Sequence, residues 1–283
     1  MSPEALAGER FRALHGGAGP LILPNPGDAG TARLLEQAGF KALATTSAGS
    51  AFSLGLEDGG LKRETAMRHV AEIAEATFLP VSADLGTGFG RDPQTVAETI
   101  RLAASCGAVG GSIEDRSCDP RDPLLPISLA AERIAAAAEA ARALDFPFML
   151  TARAENFLVG STDLDDVLLR LEAYRDAGAD VLYAPSLPDG EAIASVVEVA
   201  GGTPVNVLAQ GKGPTSSIAQ LSALGVRRIS LGSALTRLAF TAILRGIDEL
   251  RSGRLDFLDD AVSVARMNDL FSAGSDRRAG GTS

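Results

Sequence analysis

Short apolar runs alternate with helical patterns along the whole chain, and this alternation constrains the fold more than any other feature. Several helical patterns end on a glycine that is followed at once by the next apolar run, at Gly39, Gly107, Gly178 and Gly225. Glycine in that place favours a left-handed cap at the carboxyl end of a helix. The sequence therefore predicts a repeating βα unit.

The number of repeats favours a closed barrel. We predict eight strands, near residues 20–24, 41–46, 78–83, 108–113, 147–152, 180–184, 203–208 and 226–231. Several of these runs are apolar almost throughout, as the buried strands of parallel sheets are. An open Rossmann or flavodoxin-like sheet is the alternative, but no G-x-G-x-x-G follows the first strand. Helices over Pro3 to Leu14 and from Ser233 to Phe271 are predicted to flank the barrel.

Length and composition fit one such domain. A chain of 283 residues with 46% apolar content has the size of a single α/β barrel. We expect one domain over residues 1–272 and a disordered tail over 273–283. The net charge of -10 argues against a nucleic-acid partner. With two cysteines and no apolar run long enough for a membrane span, we expect a cytoplasmic protein without a membrane partner.

Polar residues gather at the predicted strand ends, where the active sites of parallel barrels lie. They are Asn25, Ser47, Asp84, Glu114, Arg153, Ser186, Asn206 and Ser233. Asp84 and Glu114, on neighbouring strands, offer the oxygen ligands that Mg²⁺ prefers. Arg153 offers a forked donor for a carboxylate or phosphonate. Backbone N–H groups after the second strand, from Ser47 onward, are suited to an anion.

Each of these residues also has a structural interpretation. Asp84 precedes a glycine-rich turn and could serve that turn, and Arg153 could pair with Glu155 in a structural network. The two histidines, His15 and His69, fall in predicted helices, so a histidine metal site or a Ser-His-Asp triad has no support. The common placement of the other polar residues at one rim favours a functional site.

Several segments, in order, resemble the isocitrate lyase and phosphoenolpyruvate mutase superfamily over about Leu21 to Phe240. The segments are 23–40 (LPNPGDAGTARLLEQAGF), 45–49 (TTSAG), 54–58 (LGLED), 110–115 (GGSIED), 151–155 (TARAE), 205–208 (VNVL) and 227–233 (RRISLGS). The resemblance implies a (β/α)₈ TIM-type barrel whose last helix is often exchanged between the subunits of a homodimer or homotetramer. It also implies an Mg²⁺-dependent enzyme that makes or breaks a C–C or P–C bond beside a 2-oxo acid or enolate.

The resemblance assigns substrate-binding roles by position. It implies that the backbone N–H groups of Ser47, Ala48 and Gly49 hold the substrate carboxylate, and that Arg153 holds the distal anion. Asn206, at the end of the seventh predicted strand, is a further candidate for substrate binding.

It assigns metal and catalytic roles in the same way. Asp84 and Glu114 would bind Mg²⁺ directly or through water, and Asp58 would lie beside the reacting centre. Glu155 follows the arginine by two residues, as in the mutases and phosphonopyruvate hydrolases, and is a catalytic candidate. The family usually has a second acid two residues after the first, but here that residue is Gly86. We therefore expect weaker Mg²⁺ binding, or a site in which water and substrate supply more of the ligands.

Two further departures concern the substrate. Lyases of isocitrate and methylisocitrate carry a Lys-Arg-Cys-Gly-His loop, whereas residues 115–123 here are shorter and hold Cys118, a candidate acid or else an ordinary thiol. Those lyases also tend to place a Glu after the sixth strand, where this chain has the segment 183–186. We therefore expect a C–C lyase of another small 2-oxo or 2-hydroxy (di)carboxylate. The alternatives are P–C chemistry on phosphoenolpyruvate or phosphonopyruvate, and a non-catalytic protein that binds a metabolite.

Overall fold

The computed structural model describes residues 2–211 and 217–272, apart from the side chain of Cys118. The predicted tail, 273–283, lies outside these residues. The strands within them are β1 Leu21–Leu23, β2 Leu43–Ala44, β3 Val81–Asp84, β4 Gly110–Glu114, β5 Arg116–Asp119, β6 Asp122–Leu124, β7 Met149–Arg153, β8 Val181–Tyr183, β9 Val205–Leu208 and β10 Arg228–Ser230. Eight of them coincide with the eight strands predicted from the sequence, and β5 and β6 are additional.

The eight predicted strands form one parallel sheet in the order β1-β10-β9-β8-β7-β4-β3-β2. The two ends of this order also meet, because the N–H of Ala44 on β2 donates to the carbonyl of Pro24, directly after β1, at 3.1 Å. The predicted (β/α)₈ barrel is therefore confirmed. The additional strands β5 and β6 pair with each other as an antiparallel hairpin beyond the end of β4.

Helices surround the barrel. They are α1 Pro3–Leu14, α2 Ala29–Gln37, α3 Ser47–Ser53, α4 Arg63–Ala76, α5 Pro93–Ser105, α6 Ile127–Arg142, α7 Leu164–Asp176, α8 Gly190–Val199, α9 Ile218–Ala223, α10 Ala234–Arg251 and α11 Val264–Ser272, with 3₁₀ turns at Asn156–Val159 and Asp256–Asp260. Gly107 after α5 and Gly178 after α7 have φ of 88° and 101°, which confirms the left-handed caps predicted there. Over the described ranges, no helix combines the length and apolar character that crossing a bilayer requires.

The amino end of the barrel is closed by an apolar plug. Phe11 of α1 is fully buried and packs among inward-facing side chains of the strands, including Leu21, Met149 and Val181. Gly110 makes room for this plug, because a Cβ atom at that position would lie 2.8 Å from Cε1 of Phe11 and 2.9 Å from the carbonyl oxygen of Met149. The plug leaves the carboxyl end of the strands as the end at which a cavity can open.

The tight packing at Gly110 leads to a prediction about the stability of a variant with one added methyl group. Gly110→Ala is expected to lower the free energy of unfolding by about 1–3 kcal/mol, because the new Cβ overpacks a site bounded by backbone and an aromatic ring. Gly19→Ala is the matched control, since no heavy atom lies within 4 Å of its Cβ position. Urea unfolding of both variants measures the difference. Equal stability would show that Phe11 does not fill the barrel as described.

Candidate active site

A cavity of about 370 Å³ lies at the carboxyl ends of the barrel strands. Its walls include seven of the eight strand-end residues that the sequence placed at the rim: Asn25, Ser47, Asp84, Glu114, Arg153, Asn206 and Ser233. The remaining one, Ser186, does not line it. Residues that lie far apart along the chain therefore surround one cavity.

Arg153 is the centre of the charged part of this cavity. Its Nη1 lies 3.0 Å from Oδ1 of Asp84, its Nη2 lies 3.3 Å from Oε2 of Glu114, and its Nε lies 2.9 Å from Oε1 of Glu155. The register of the sheet accounts for part of this cluster, because Glu114 on β4 is paired with Arg153 on β7. Arg153 thus forms the ion pair with Glu155 that its structural interpretation predicts. It also forms ion pairs with both candidate metal ligands, Asp84 and Glu114.

Burial and the charges of neighbouring groups shift the pKa values of Glu114 and Glu155. Burial and the charge of Glu155 raise the pKa of Glu114 to about 8. Burial also raises the pKa of Glu155, against the opposing effect of Arg153. Burial lowers the pKa of Arg153, but the three carboxylates outweigh it and hold that pKa above its ordinary value. One permanent cation thus faces an excess of buried acid, and this arrangement favours either a bound proton or an added metal ion.

Asp84 ties the end of β3 to the start of α3. Its Oδ2 accepts hydrogen bonds from the backbone N–H and the hydroxyl of Ser47, both at 2.8 Å. Its own N–H donates to Oγ1 of Thr45 at 2.9 Å. Because its other oxygen faces Arg153, Asp84 has a partner on both sides, which fixes the orientation of the carboxylate.

The start of α3 is the predicted anion cradle. Ser47 and Ala48 line the cavity, whereas Gly49 is buried and does not. The N–H of Gly49 donates to Oγ1 of Thr46 at 3.1 Å as a helix cap, and the N–H of Ser47 is held by Asp84. Two of the three N–H groups assigned to a substrate carboxylate therefore have protein partners.

The other candidates from the sequence occupy different depths. Asp58 is exposed in the segment between α3 and α4 and lines the mouth of the cavity. Asn206 is buried inside the barrel, where it accepts from Nε of Arg228 at 2.9 Å and donates to Oγ of Ser230 at 3.0 Å. Cys118 belongs to β5, and its side chain is outside the described residues.

Sequence reasoning missed several polar residues inside the barrel. Ser82, Ser112 and Thr151 each lie two residues before a predicted site residue, on β3, β4 and β7. Side chains two apart on a strand point to the same face, so this alternation could have identified them. Tyr183 was also missed, although its ring centre lies 5.1 Å from Cζ of Arg153.

The residues present fit an Mg²⁺ ion that retains several waters. Within 2–211 and 217–272, no group of three or more His, Cys, Asp or Glu side chains is arranged to hold a metal. Asp84 and Glu114 nevertheless bring two carboxylates to one guanidinium, and Mg²⁺ is commonly held by one or two carboxylates with water and substrate as the remaining ligands. At Gly86 a Cβ atom would meet no heavy atom within 4 Å, so space remains where the family usually has an acid.

Comparison with known proteins gives concordant matches. Residues 11–251 match the family described as phosphoenolpyruvate phosphomutase. A solved structure of a "putative lyase/mutase" from Burkholderia cenocepacia J2315 is 54% identical, covers 96% of this chain and 99% of that chain, and has a TM-score of 0.94. A "Probable 2-methylisocitrate lyase 2" of Corynebacterium glutamicum is 28% identical over 93% of this chain and 88% of its own length. A structure of oxaloacetate acetylhydrolase in complex with the product oxalate is 26% identical, with a TM-score of 0.84 over 99% of this chain and 100% of that chain.

Proposed function

The chain belongs to the phosphoenolpyruvate phosphomutase family, and from that premise we propose that it is an Mg²⁺-assisted C–C lyase of a small 2-oxo or 2-hydroxy (di)carboxylate, acting through an enolate-like intermediate. The observation that carries the proposal is the meeting of Arg153 with Asp84, Glu114 and Glu155 inside one cavity. The names of two similar proteins, a 2-methylisocitrate lyase and an oxaloacetate acetylhydrolase, support a carboxylate substrate.

The proposed reaction requires a base, an acid and a positive charge in the site. For a 2-hydroxy dicarboxylate, a base removes the hydroxyl proton, the C–C bond breaks, and its electron pair passes to the carbon beside the second carboxylate. The products are a 2-oxo acid and an enolate, which takes a proton on carbon from an acid. When bound by Asp84 and Glu114, directly or through water, Mg²⁺ would supply positive charge that stabilises the enolate oxygen.

Side chains of the cavity have roles that match these demands. Arg153, whose side chain is 13% exposed, orients a substrate carboxylate through two parallel hydrogen bonds, which are strong because both partners are charged. The carboxylate cradle is assigned to the N–H groups of Ser47, Ala48 and Gly49. Ser47 and Ala48 line the cavity, whereas the N–H of Gly49 caps α3. Asn206, on the deep wall, supplies a further polar contact to substrate.

The remaining acids of the site are the candidates for proton transfer. Glu155 is fully buried against Arg153 and has one oxygen, Oε2, without a hydrogen-bond partner among the described residues. Asp58 stands at the exposed mouth. Cys118, on strand β5 of the hairpin, is a third candidate acid.

A panel of three substrates tests the reaction class. In the presence of Mg²⁺, the proposal predicts release of pyruvate and acetate from 2-hydroxy-2-methylsuccinate. With oxaloacetate it predicts release of oxalate and acetate, after one water molecule has added to the ketone to supply the hydroxyl group. Release of phosphate from phosphonopyruvate, with the other two unchanged, would support P–C chemistry instead. Binding of these acids without turnover of any would support the non-catalytic alternative.

The missing acid at residue 86 gives a prediction for the metal. Gly86→Asp is expected to tighten Mg²⁺ binding by about tenfold, because the added carboxylate enters open space beside Asp84 and Glu114. Calorimetric titration with Mg²⁺ measures the dissociation constant. Gly86→Asn is the matched control, since asparagine has nearly the same shape and also tolerates the left-handed backbone, with φ of 52°. An equal affinity in the two variants would show that residue 86 does not face the metal.

We propose in addition that the chain forms a homodimer or homotetramer through α10. Of the leucine and isoleucine side chains of this helix that are strongly exposed in the single chain, four lie in its second half: Ile243 55%, Leu244 60%, Ile247 43% and Leu250 52%. Their spacing of three and four residues places them along one side of the helix. A continuous apolar face of this kind is typical of a surface that another subunit covers.

Light scattering after size-exclusion chromatography tests this surface. The double variant Leu244→Glu/Ile247→Glu is expected to be monomeric at micromolar concentration, because it would place charges in an apolar interface. The control is Leu169→Glu on α7, a leucine of similar exposure, 58%, outside this face. A monomeric native protein, or an oligomer unaffected by the double change, would rule out α10 as the subunit contact.

A further inference from the structure

Arg228 is a buried cation inside the barrel whose hydrogen bonds are incomplete. Only 3% of its surface is exposed. Its Nε donates to Oδ1 of Asn206 at 2.9 Å and its Nη2 donates to Oγ1 of Thr151 at 2.9 Å. Its Nη1 is buried and has no hydrogen-bond partner among the described residues. The residue nevertheless lines the cavity of the candidate active site.

The charge of Arg228 is also uncompensated, because both of these partners are neutral. Burial, with a contribution from Arg153, lowers the pKa of Arg228 to about 10, which leaves it charged at neutral pH. His15 does not balance this charge either, because an imidazole is neutral or positive, and burial, which lowers its pKa to about 4, keeps it neutral. A buried charge without an opposite charge is costly to a fold.

Three other arginines of the barrel have partners of a different kind from those of Arg228. Arg153 meets three carboxylates, and Arg170 pairs with Asp115 and Asp166. Arg133 donates to backbone carbonyls, including that of Glu114 at 3.1 Å. The protein therefore supplies carboxylates to Arg153 and Arg170 and carbonyl acceptors to Arg133, whose Nε–H is also without a partner among the described residues. Arg228 differs in that its unpartnered N–H belongs to a guanidinium that lines the candidate active-site cavity.

An anion can approach Arg228 from one direction. Below it lies the apolar plug, since Leu21 is its register partner on β1 and Phe11 fills the space inside. Above it lies the cavity, whose wall here is formed by Asn206 and Ser230. An oxyanion in the cavity would therefore be the group that completes the hydrogen bonds of Arg228.

We propose that Arg228 is a specificity-determining residue that binds the second carboxylate of a dicarboxylate at the floor of the cavity. This inference rests on the proposed function for the reaction that follows binding, and it narrows the substrate class from carboxylates to dicarboxylates. One carboxylate is then held near Arg153 and the other by Arg228, so the substrate spans the cavity between two cations.

Matched pairs of unreactive acids test the binding step by itself. The pairs are malonate with propionate, succinate with butyrate, and glutarate with pentanoate, each differing by one carboxylate. Calorimetry of the native protein is expected to show at least one dicarboxylate binding tenfold or more tightly than its partner. Arg228→Met should remove this preference and leave the affinity for the monocarboxylate unchanged. Arg227→Met, at the exposed neighbouring position, is the control that should keep it.

The outcomes separate this inference from the proposed reaction. An unchanged preference in Arg228→Met, or no preference in the native protein, would overturn the inference even if the lyase reaction is observed. A preference that depends on Arg228, without turnover of any substrate, would support the inference and contradict the lyase. If Arg228→Met does not fold, Arg228→Lys replaces it, because lysine keeps the charge but loses the fork. Full retention of the preference in that variant would also overturn the inference.

Discussion

Arg153→Met is expected to lower kcat/KM by about three orders of magnitude or more, because it removes the cation that joins Asp84, Glu114 and Glu155 and that is proposed to orient the substrate. The loss should appear in kcat as well as in KM, since the guanidinium faces charge that develops during the reaction. Steady-state kinetics on the substrate identified from the panel measures both constants.

Two further variants accompany this prediction. One tests whether the charge of Arg153 is enough without its forked geometry, and the other is a control. Arg153→Lys keeps a cation but cannot hold a carboxylate through two hydrogen bonds, so its activity is expected to lie between those of the native protein and the methionine variant. Arg12→Met removes an exposed arginine of α1 that pairs with Glu9, and it should leave kcat/KM unchanged. Activity within a few-fold of native in Arg153→Met would remove this residue from the catalytic site.

Asp115→Ala is expected to lower the free energy of unfolding by about 3–5 kcal/mol, because it breaks a buried charge network. Asp115 is 2% exposed and accepts from Nη1 of Arg170 at 3.0 Å, the hydroxyl of Tyr174 at 2.6 Å and the N–H of Glu155 at 2.9 Å. Its loss leaves the guanidinium of Arg170 with less compensation and the backbone of Glu155 without its acceptor. Urea unfolding measures the change.

The control for this variant is an exposed acid. Asp176 pairs with Arg175 at 2.9 Å, but its side chain is 65% exposed. Asp176→Ala should therefore change stability by less than about 0.5 kcal/mol, as is usual for surface ion pairs. A similar small change in Asp115→Ala would show that the buried network contributes little to stability, and that Glu155 is positioned by other contacts.

The main features of the fold follow from local patterns in the sequence. The eight strands were predicted because apolar runs alternate with helical patterns, several of which end on a glycine, and this pattern is independent of tertiary contacts. The cavity rim followed from the same strands, because the carboxyl ends of parallel strands lie at one end of a barrel. Asp84, Glu114 and Arg153 could therefore be placed around one cavity before their contacts were known.

The parts that were missed depend on contacts between distant segments. The β5–β6 hairpin is polar and lacks a run of alternating apolar residues, so nothing local indicated a strand pair in the segment after Glu114. Arg228 was overlooked because a charged residue in a short strand is usually exposed, as Arg227 is beside it. Its orientation is set by the closure of the barrel, which places it with Asn206 and Thr151.

Difference electron density from crystals grown with Mg²⁺ and oxalate tests the central claim most directly. The account predicts oxalate within hydrogen-bonding distance of Arg153, and an ion bound beside Asp84 and Glu114 directly or through water. Density for both at another surface, with this cavity unchanged, would contradict it.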